Sequence, residues 1–364
     1  MENSGTGESG HDAAGTTGKP TVCFLGPVAS YTHQATLDTF PEDKFDLIPV
    51  ETIKDIFTTT QSGRADYGVV PFENSSNGSV VFTLDQFADR AAEFPDLSVC
   101  AEAYLDVHHC LLGHCGGSAI PKGGQRSIGR NLSHIKRIYS HPQAFGQCVK
   151  FLRTHLRGVE TIDVSSTSRA AELALADKTG ESAAVSSRAA AKLLGLEILA
   201  GNIEDRDDNT TRFFVLRRGG STSDSKDPEW LEERRRKRRR EAIALSFTRI
   251  LPQKRRADAE TEAEDQDEPK APAYSHAKSL ASFTVPHRHP GALADVLDCF
   301  RRARLNLTSI NSRPSLAAPF QYVFFVEFEG HRSDDPEGRV RDVLQDVARV
   351  ASSSRWLGSW ESMR

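Results

Sequence analysis

The stretch Thr21-Val22-Cys23-Phe24-Leu25-Gly26-Pro27-Val28-Ala29-Ser30-Tyr31-Thr32 decides the fold class. Val22–Leu25 is a short apolar run of strand character, and Gly26 closes it. The small polar residues that follow lead into a helical pattern over Thr32–Phe40. Glycine at a strand end lets backbone approach a ligand, and the N–H groups at the next helix start suit an anion. The same grammar repeats along the chain. Asp66–Pro71, Val107–Leu112, Ile138–Ser140, Gly158–Val164, Ala183–Ser186 and Arg212–Leu216 read as further strands. Between them, Ile53–Ser62, Val80–Ala91, Pro142–Leu156, Ser168–Ala176 and Ser187–Leu194 read as helices. Such alternation points to an α/β domain with mainly parallel sheet.

Polar residues cluster where strands end. Besides the turn at Gly26, they are Pro71-Phe72-Glu73-Asn74-Ser75-Ser76-Asn77-Gly78-Ser79, Ser140-His141-Pro142-Gln143, Ser165-Ser166-Thr167-Ser168-Arg169 and Asn209-Thr210-Thr211-Arg212-Phe213. Any one of them reads equally well as an ordinary turn or helix N-cap. Their shared position at strand ends is where open α/β sheets hold ligands. Together they imply a cleft for a polar, anionic small molecule.

Outward from this region the composition changes. Residues 1–20 are rich in Gly, Ser, Thr and Ala, and 219–277 are crowded with charge and poor in large apolar groups. The second stretch carries 13 positive and 13 negative charges, with a basic run from Arg234 to Arg240 and an acidic run from Asp258 to Glu268. Neither stretch can bury enough surface to offset the entropy of ordering, so both are expected to be mostly disordered. The remainder, 21–218 and 278–364, is correspondingly richer in core material.

Several function classes fall away. The net charge of -4 argues against a chain that binds nucleic acid throughout, and the basic run reads as solvated linker. No apolar run approaches the ~18 residues of a membrane span. The first twenty residues hold Glu2, Glu8 and Asp12 against Lys19, with no apolar core, so the cytosol is the expected location. Six cysteines without regular spacing fit reduced thiols. His108-His109-Cys110 and His114-Cys115 could ligate zinc, but strand alternation over Val107–Leu112 puts His109 opposite His108, Cys110 and His114. No metal is expected. Neither a Walker A run, nor Gly-x-Gly-x-x-Gly at a strand-to-helix turn, nor Gly-x-Ser-x-Gly is present.

Past the linker the order changes. Leu280–Val285 is a strand, Pro290 opens a helix running to about Ala303, and Asn306–Ser312 and Gln321–Phe328 are two more strands. A helix near Gly338–Val350 and a strand at Trp356–Trp360 complete a βαββαβ order, the α+β ferredoxin-like plan.

These residues, in this order, resemble the prephenate dehydratase family. The likeness is carried by Phe24-Leu25-Gly26-Pro27 with Ser30-Tyr31, and by Gly68-Val69-Val70-Pro71-Phe72-Glu73-Asn74-Ser75 with Asn77-Gly78-Ser79. Tyr139-Ser140-His141-Pro142-Gln143-Ala144 and Asn202-Ile203-Glu204-Asp205 followed by Asn209-Thr210-Thr211-Arg212-Phe213 extend it. The C-terminal part resembles the ACT regulatory domain through Pro290-Gly291-Ala292-Leu293, Asn306-Leu307-Thr308, Ser312-Arg313-Pro314 and Tyr322-Val323-Phe324-Phe325-Val326.

The resemblance implies a catalytic region of two subdomains around a cleft, like type II periplasmic binding proteins, followed by the ACT domain. It implies conversion of prephenate to phenylpyruvate in phenylalanine biosynthesis, without a metal or other cofactor. Thr211, Asn74 and Gln143 are the implied catalytic residues, and Glu73, Ser75, Thr167, Arg212 and Phe213 line or support the substrate. L-phenylalanine is the implied effector, held at a dimer interface by Gly291, Ala292, Leu293, Asn306, Asn311 and Ser312, in a homodimer or homotetramer. Two departures stand out: Asn311 where the family usually has an acidic residue before Ser-Arg-Pro, and the turn His287-Arg288-His289-Pro290. A non-catalytic sensor of small carboxylates or amino acids and an arogenate dehydratase are the competing readings. With the tail and linker set aside the remaining chain has a net charge of -2, so Arg212 and helix starts are expected to draw in a dianion.

Overall fold

The computed structural model describes residues 18–114, 132–219, 230 and 277–363. The tail and most of the charged linker read from composition lie outside these residues. The first strand, β1 (Thr21–Leu25), is followed by α1 (Tyr31–Thr39), whose first turn is capped by Ser30 accepting from the His33 N–H. Then come β2 (Asp46–Val50), α2 (Ile53–Gln61), β3 (Tyr67–Asn74), the short β4 (Gly78–Ser79) and α3 (Val81–Ala88). Thr52 and Asp55 form a reciprocal capping box at the start of α2.

β5 (Leu97–Asp106) runs across this sheet, and the chain then crosses to a second one at β6 (Cys110–Gly113). This corrects the expected single strand over Val107–Leu112: residues 107–109 form the crossing. The second body contains β7 (Arg137–Ser140), α4 (Pro142–Gly146), α5 (Val149–His155), β8 (Glu160–Asp163), α6 (Thr167–Ala176), β9 (Ser182–Ser186), α7 (Arg188–Leu194) and β10 (Glu197–Gly201). Its strand order is β10-β6-β9-β7-β8, with β7 parallel to both β8 and β9. The chain returns to the first sheet at β11 (Thr210–Arg218), which lies antiparallel between β3 and β5.

The C-terminal unit runs β12 (Ala277–Thr284), α8 (Ala292–Arg302), β13 (Leu307–Pro314), β14 (Tyr322–Glu329), α9 (Arg339–Val350), β15 (Ser353–Glu361). The βαββαβ order matches the expectation. What composition and periodicity did not indicate is that this unit joins the first sheet. β15 pairs with β5 at Gly358 and Val99, giving one sheet ordered β13-β14-β12-β15-β5-β11-β3-β1-β2. Gly358 is required there: a Cβ would lie 2.1 Å from the Val99 carbonyl oxygen, and its φ is +144°.

The apolar core follows the sheet across the join. Leu280, Phe325, Leu357 and Trp360 of the C-terminal unit are buried in the same cluster as Phe57, Phe72, Phe87 and Phe214. The other face of the first sheet packs Phe24, Phe40, Tyr67, Phe213 and Val215. Trp230, from within the stretch assigned to linker, sits against Phe40, Phe45 and Tyr67 with ring centroids 4.8, 6.5 and 5.2 Å away. Among the described residues no helix is long and apolar enough to cross a membrane. The described cysteines, Cys23, Cys100, Cys110, Cys148 and Cys299, are all free and buried.

Candidate active site

Parallel strands β1 and β3 end where the antiparallel β11 begins, so three polar strand ends meet at one edge of the first sheet. Thr211 lies directly opposite Asn74 and Arg212 opposite Glu73 in the β11–β3 pairing. Opposed residues share a face and successive ones alternate. Thr211 and Asn74 therefore face one way, and Arg212 and Glu73 the other.

The Thr211–Asn74 side is tightly ordered. Asn74 Nδ2 donates to Thr211 Oγ1 at 3.0 Å and to Asn209 Oδ1 at 2.8 Å, while its Oδ1 accepts from the Ser76 and Asn77 N–H groups at 3.0 Å each. Those backbone donors fix which way the amide points. Thr211 Oγ1 accepts from Asn74, which leaves its own proton to be donated to a ligand. Ser75 braces the pair: its hydroxyl donates to the Asp208 carbonyl at 3.1 Å and accepts from the Thr210 N–H at 3.0 Å. Thr210 Oγ1 donates to Asp106 at 2.7 Å.

Asn209 is also a member of this group, beyond the site residues that the family resemblance implies. It is 3% exposed, and among the described residues its Nδ2 has no hydrogen-bond partner. An asparagine two residues before the threonine was the available signal.

Arg212 is not at the cleft. Its side chain is 7% exposed, its Nε donates to Glu102 Oε2 at 2.9 Å, and its Nη2 lies 2.6 Å from both Glu102 and Glu327. Phe72, Phe214, Tyr104 and Trp360 surround the guanidinium with centroids 4.9–5.9 Å away. Burial would lower its pKa, but the Glu327 and Glu102 carboxylates together hold it above the ordinary arginine value. The expected role of drawing in a dianion is thereby corrected. Strand alternation turns Arg212 to the face that the C-terminal unit covers. Glu73 shares that face, 3.9 Å from Arg212, and Phe213 is 1% exposed in the core.

The second sheet presents its own polar ends. Gln143 is exposed in the first turn of α4, after β7, where His141 Nδ1 accepts from its N–H at 3.2 Å. Thr167 is the first residue of α6, after β8, with Ser166 capping. Among the described residues no hydrogen bond joins Gln143 or Thr167 to Asn74 or Thr211.

The two bodies are tied instead at the crossings. The Tyr31 hydroxyl lies 2.8 Å from His109 Nδ1, His109 Nε2 lies 2.7 Å from Gln147 Oε1, and Glu204 accepts from the His109 N–H at 2.8 Å while pairing with His108 Nδ1. With Gln147 Oε1 accepting, His109 carries its proton on Nε2, and its Nδ1 accepts a hydrogen bond from the Tyr31 hydroxyl. Burial lowers the His109 pKa, against the opposing pull of Gln147 and Glu204, and lifts that of Tyr31 well above its usual value. Among the described residues no cluster of three or more His, Cys, Asp or Glu side chains suits a metal. Cys115, one of the proposed ligands, lies outside them.

The family model described as prephenate dehydratase matches residues 22–221, which take in the second sheet, the strands that the catalytic body gives to the first, and every element of this site. The chain belongs to the prephenate dehydratase family. It is 32% identical to the bifunctional chorismate mutase/prephenate dehydratase of Aquifex aeolicus, over 93% of this chain and 73% of that one. It is 26% identical to the prephenate dehydratase of Methanocaldococcus jannaschii, over 93% of this chain and 97% of the relative. The crystal structure of an Arthrobacter aurescens prephenate dehydratase in complex with L-Phe aligns with a TM-score of 0.67 at 28% identity, covering 93% and 89%. Prephenate dehydratases are lyases, so the expected enzyme class stands.

The family resemblance also nominated C-terminal residues, and the structure separates them. Gly291 caps α8 with φ +87°, a conformation that favours glycine, and among the described residues nothing lies within 4 Å of where its Cβ would be. Ala292 and Leu293 turn into the core beneath. Asn306 Nδ2 donates to Glu329 at 3.3 Å. Asn311 is turned to the catalytic body: its Oδ1 accepts from the Ser79 hydroxyl at 2.6 Å, while Ser312 alternates outward. Arg313 forms a bidentate pair with Asp85 of α3 at 2.9 and 3.0 Å. Asn311 thus makes a contact between the units in this chain. A cavity of about 760 Å³ lies between segment 87–98 and the C-terminal unit, lined in part by Ser282, Thr284, Arg332 and Arg355. None of the nominated effector residues lines it.

Proposed function

We propose that this chain carries out the decarboxylative dehydration of prephenate to phenylpyruvate, with Thr211 as the donor to the departing hydroxyl. The observation that carries the reading is the 3.0 Å hydrogen bond from Asn74 Nδ2 to Thr211 Oγ1, which leaves the threonine proton free to donate. In the reaction the ring carboxylate leaves as CO2, its bonding electrons enter the ring, and the ring carbon–oxygen bond breaks. The oxygen leaves as water once it has gained a proton. A threonine hydroxyl is a weak acid, so its main contribution is a preorganised hydrogen bond at the oxygen where charge develops. Gln143, Thr167 and the N–H groups at the starts of α1, α4 and α6 supply neutral donors for the two carboxylates. Asn74 orients Thr211, and Ser75 holds the 208–210 segment.

The two sheets form two subdomains of the type II periplasmic-binding-protein kind, and the βαββαβ unit is an ACT domain responding to L-phenylalanine in a homodimer or homotetramer. The L-Phe complex of the Arthrobacter relative supports this effector, and a coupling of ~1–3 kcal/mol is the usual allosteric size. The test is phenylpyruvate formation from prephenate, with arogenate in parallel and phenylalanine, tyrosine and tryptophan as effectors. Thr211→Val is expected to lower kcat by roughly 10²–10³-fold. Near-normal turnover by that variant would sink the assignment, and no turnover by the wild-type chain would sink the reaction itself.

A further inference from the structure

Arg212 is covalently next to Thr211, yet its side chain points away from the cleft and into the join with the C-terminal unit. Three charged groups meet there almost without solvent: Arg212, Glu102 and Glu327 have side chains 7%, 0% and 1% exposed. Glu102 belongs to β5 of the catalytic body, and Glu327 to β14 of the C-terminal unit. Each carboxylate is also gripped by the C-terminal unit. Glu102 Oε1 accepts from the Met363 N–H at 2.6 Å, while Glu327 Oε1 accepts from Thr308 Oγ1 at 2.7 Å and lies 3.3 Å from Lys278 Nζ. The group is complete only when both units contribute.

The two units meet at one nitrogen. Arg212 Nη2 lies 2.6 Å from Glu102 Oε2 on one side and from Glu327 Oε2 on the other. A carboxylate from each unit thus shares the same guanidinium nitrogen. A buried charge that loses its partner is strongly disfavoured, so the guanidinium must follow its carboxylates when the units shift. The backbone leaves little slack between that guanidinium and the catalytic hydroxyl. Thr211 is the next residue, Asn74 and Glu73 are fixed opposite the pair, and the register shift of β11 against β3 falls directly after Arg212.

We propose that Arg212 is a positioning residue: the cation through which the C-terminal unit sets the position of Thr211 in the active site. The inference rests on the dehydratase reading for its kinetic test, and on geometry alone for its structural one. It assigns the middle residue of Thr211-Arg212-Phe213 to communication between units, where the resemblance had assigned it to substrate.

The test is Glu327→Gln in the full chain, which keeps shape and removes the charge that Arg212 faces. Turnover number is expected to fall about 10-fold, within the range by which coupling residues act, with KM for prephenate unchanged within about twofold. Glu327→Asp, which restores the charge, should recover most of the lost kcat. Whatever fold-inhibition phenylalanine produces in the wild type should shrink in Glu327→Gln. Unchanged kcat in Glu327→Gln overturns the proposal, as does a raised KM at constant kcat. Should Glu327→Gln not fold, Lys278→Met disturbs the same carboxylate from outside the Arg212 pair and must show the same split between kcat and KM. Should the wild type not turn over prephenate, the dehydratase reading has failed and amide hydrogen exchange decides the inference. Exchange over 209–214 should be about 10-fold faster in Glu327→Gln while 22–25 is unaffected. Equal rates over 209–214 overturn it.

Discussion

Where the C-terminal unit meets the catalytic body, Trp360 and Leu357 are fully buried among Phe72, Phe87 and Phe214, and the sheet continues across Gly358 and Val99. Where the two sheets of the catalytic body meet, the chain crosses near residues 107–109 and 202–209, and the tie is the polar chain Tyr31–His109–Gln147 with Glu204. Ala29 adds an apolar contact, packed into the second sheet's cluster. The two joins are built of different materials, and the difference has mechanical consequences. Opening the first exposes aromatic surface to water at about 25 cal/mol per Å². Opening the second exchanges a few hydrogen bonds for bonds to water, each worth ~1 kcal/mol net. The apolar join suits transmission of position and the polar one suits movement around a ligand.

The comparison can be broken most forcefully at Trp360. Trp360→Ala removes a fully buried indole from the shared core and is expected to cost ~3–5 kcal/mol, read from urea unfolding of the full chain. Wild type should unfold both units in one transition. A loss under ~1 kcal/mol would mean that the join is not a common core.

A smaller effect is expected at the polar join. Tyr31→Phe leaves His109 Nδ1 without its donor and should lower stability by about 1 kcal/mol, with faster amide exchange confined to the crossings. A loss as large as that of Trp360→Ala would erase the distinction between the two joins.

The smallest signal is a slope. Burial depresses the His109 pKa, so between that value and the unfolded histidine value of ~6.5 the unfolded chain holds more protons. Its contribution to stability is fully present above about 6.5 and is lost as pH falls through the depressed value. Urea midpoints at pH 7.5 and pH 5 should differ more in wild type than in His109→Gln. Part of the slope will persist in the variant, since burial lowers the His33 pKa as well. Identical slopes would show that His109 is not held neutral.

Much of this was legible in the residues. Ser30 and Ser166 cap the helices that a polar strand end announces, and Asn74 meets Thr211 at the edge where the strand ends converge. Other parts were not. β5 escaped because it is buried on both faces and carries Glu102 at its middle. It therefore shows neither alternation nor an uninterrupted apolar run. The apparent strand through His108 and His109 is two strands' worth of apolar residues flanking a crossing. Asn311 carried no mark of its partner, since Ser79 lies 232 residues earlier in the chain.

By itself the sequence determined the succession of strands and helices, the polar strand ends, the family, and the βαββαβ unit past the linker. These depend on local periodicity, capping and short motifs, all of which act over a few residues. Only the tertiary structure decided that the last unit extends the first sheet, and therefore what covers the face to which Arg212 points. Period-2 alternation assigns a side chain to one face of a strand. Whether that face meets substrate, solvent or another carboxylate depends on packing between distant segments, and it is there that Arg212 passes from the cleft to Glu327.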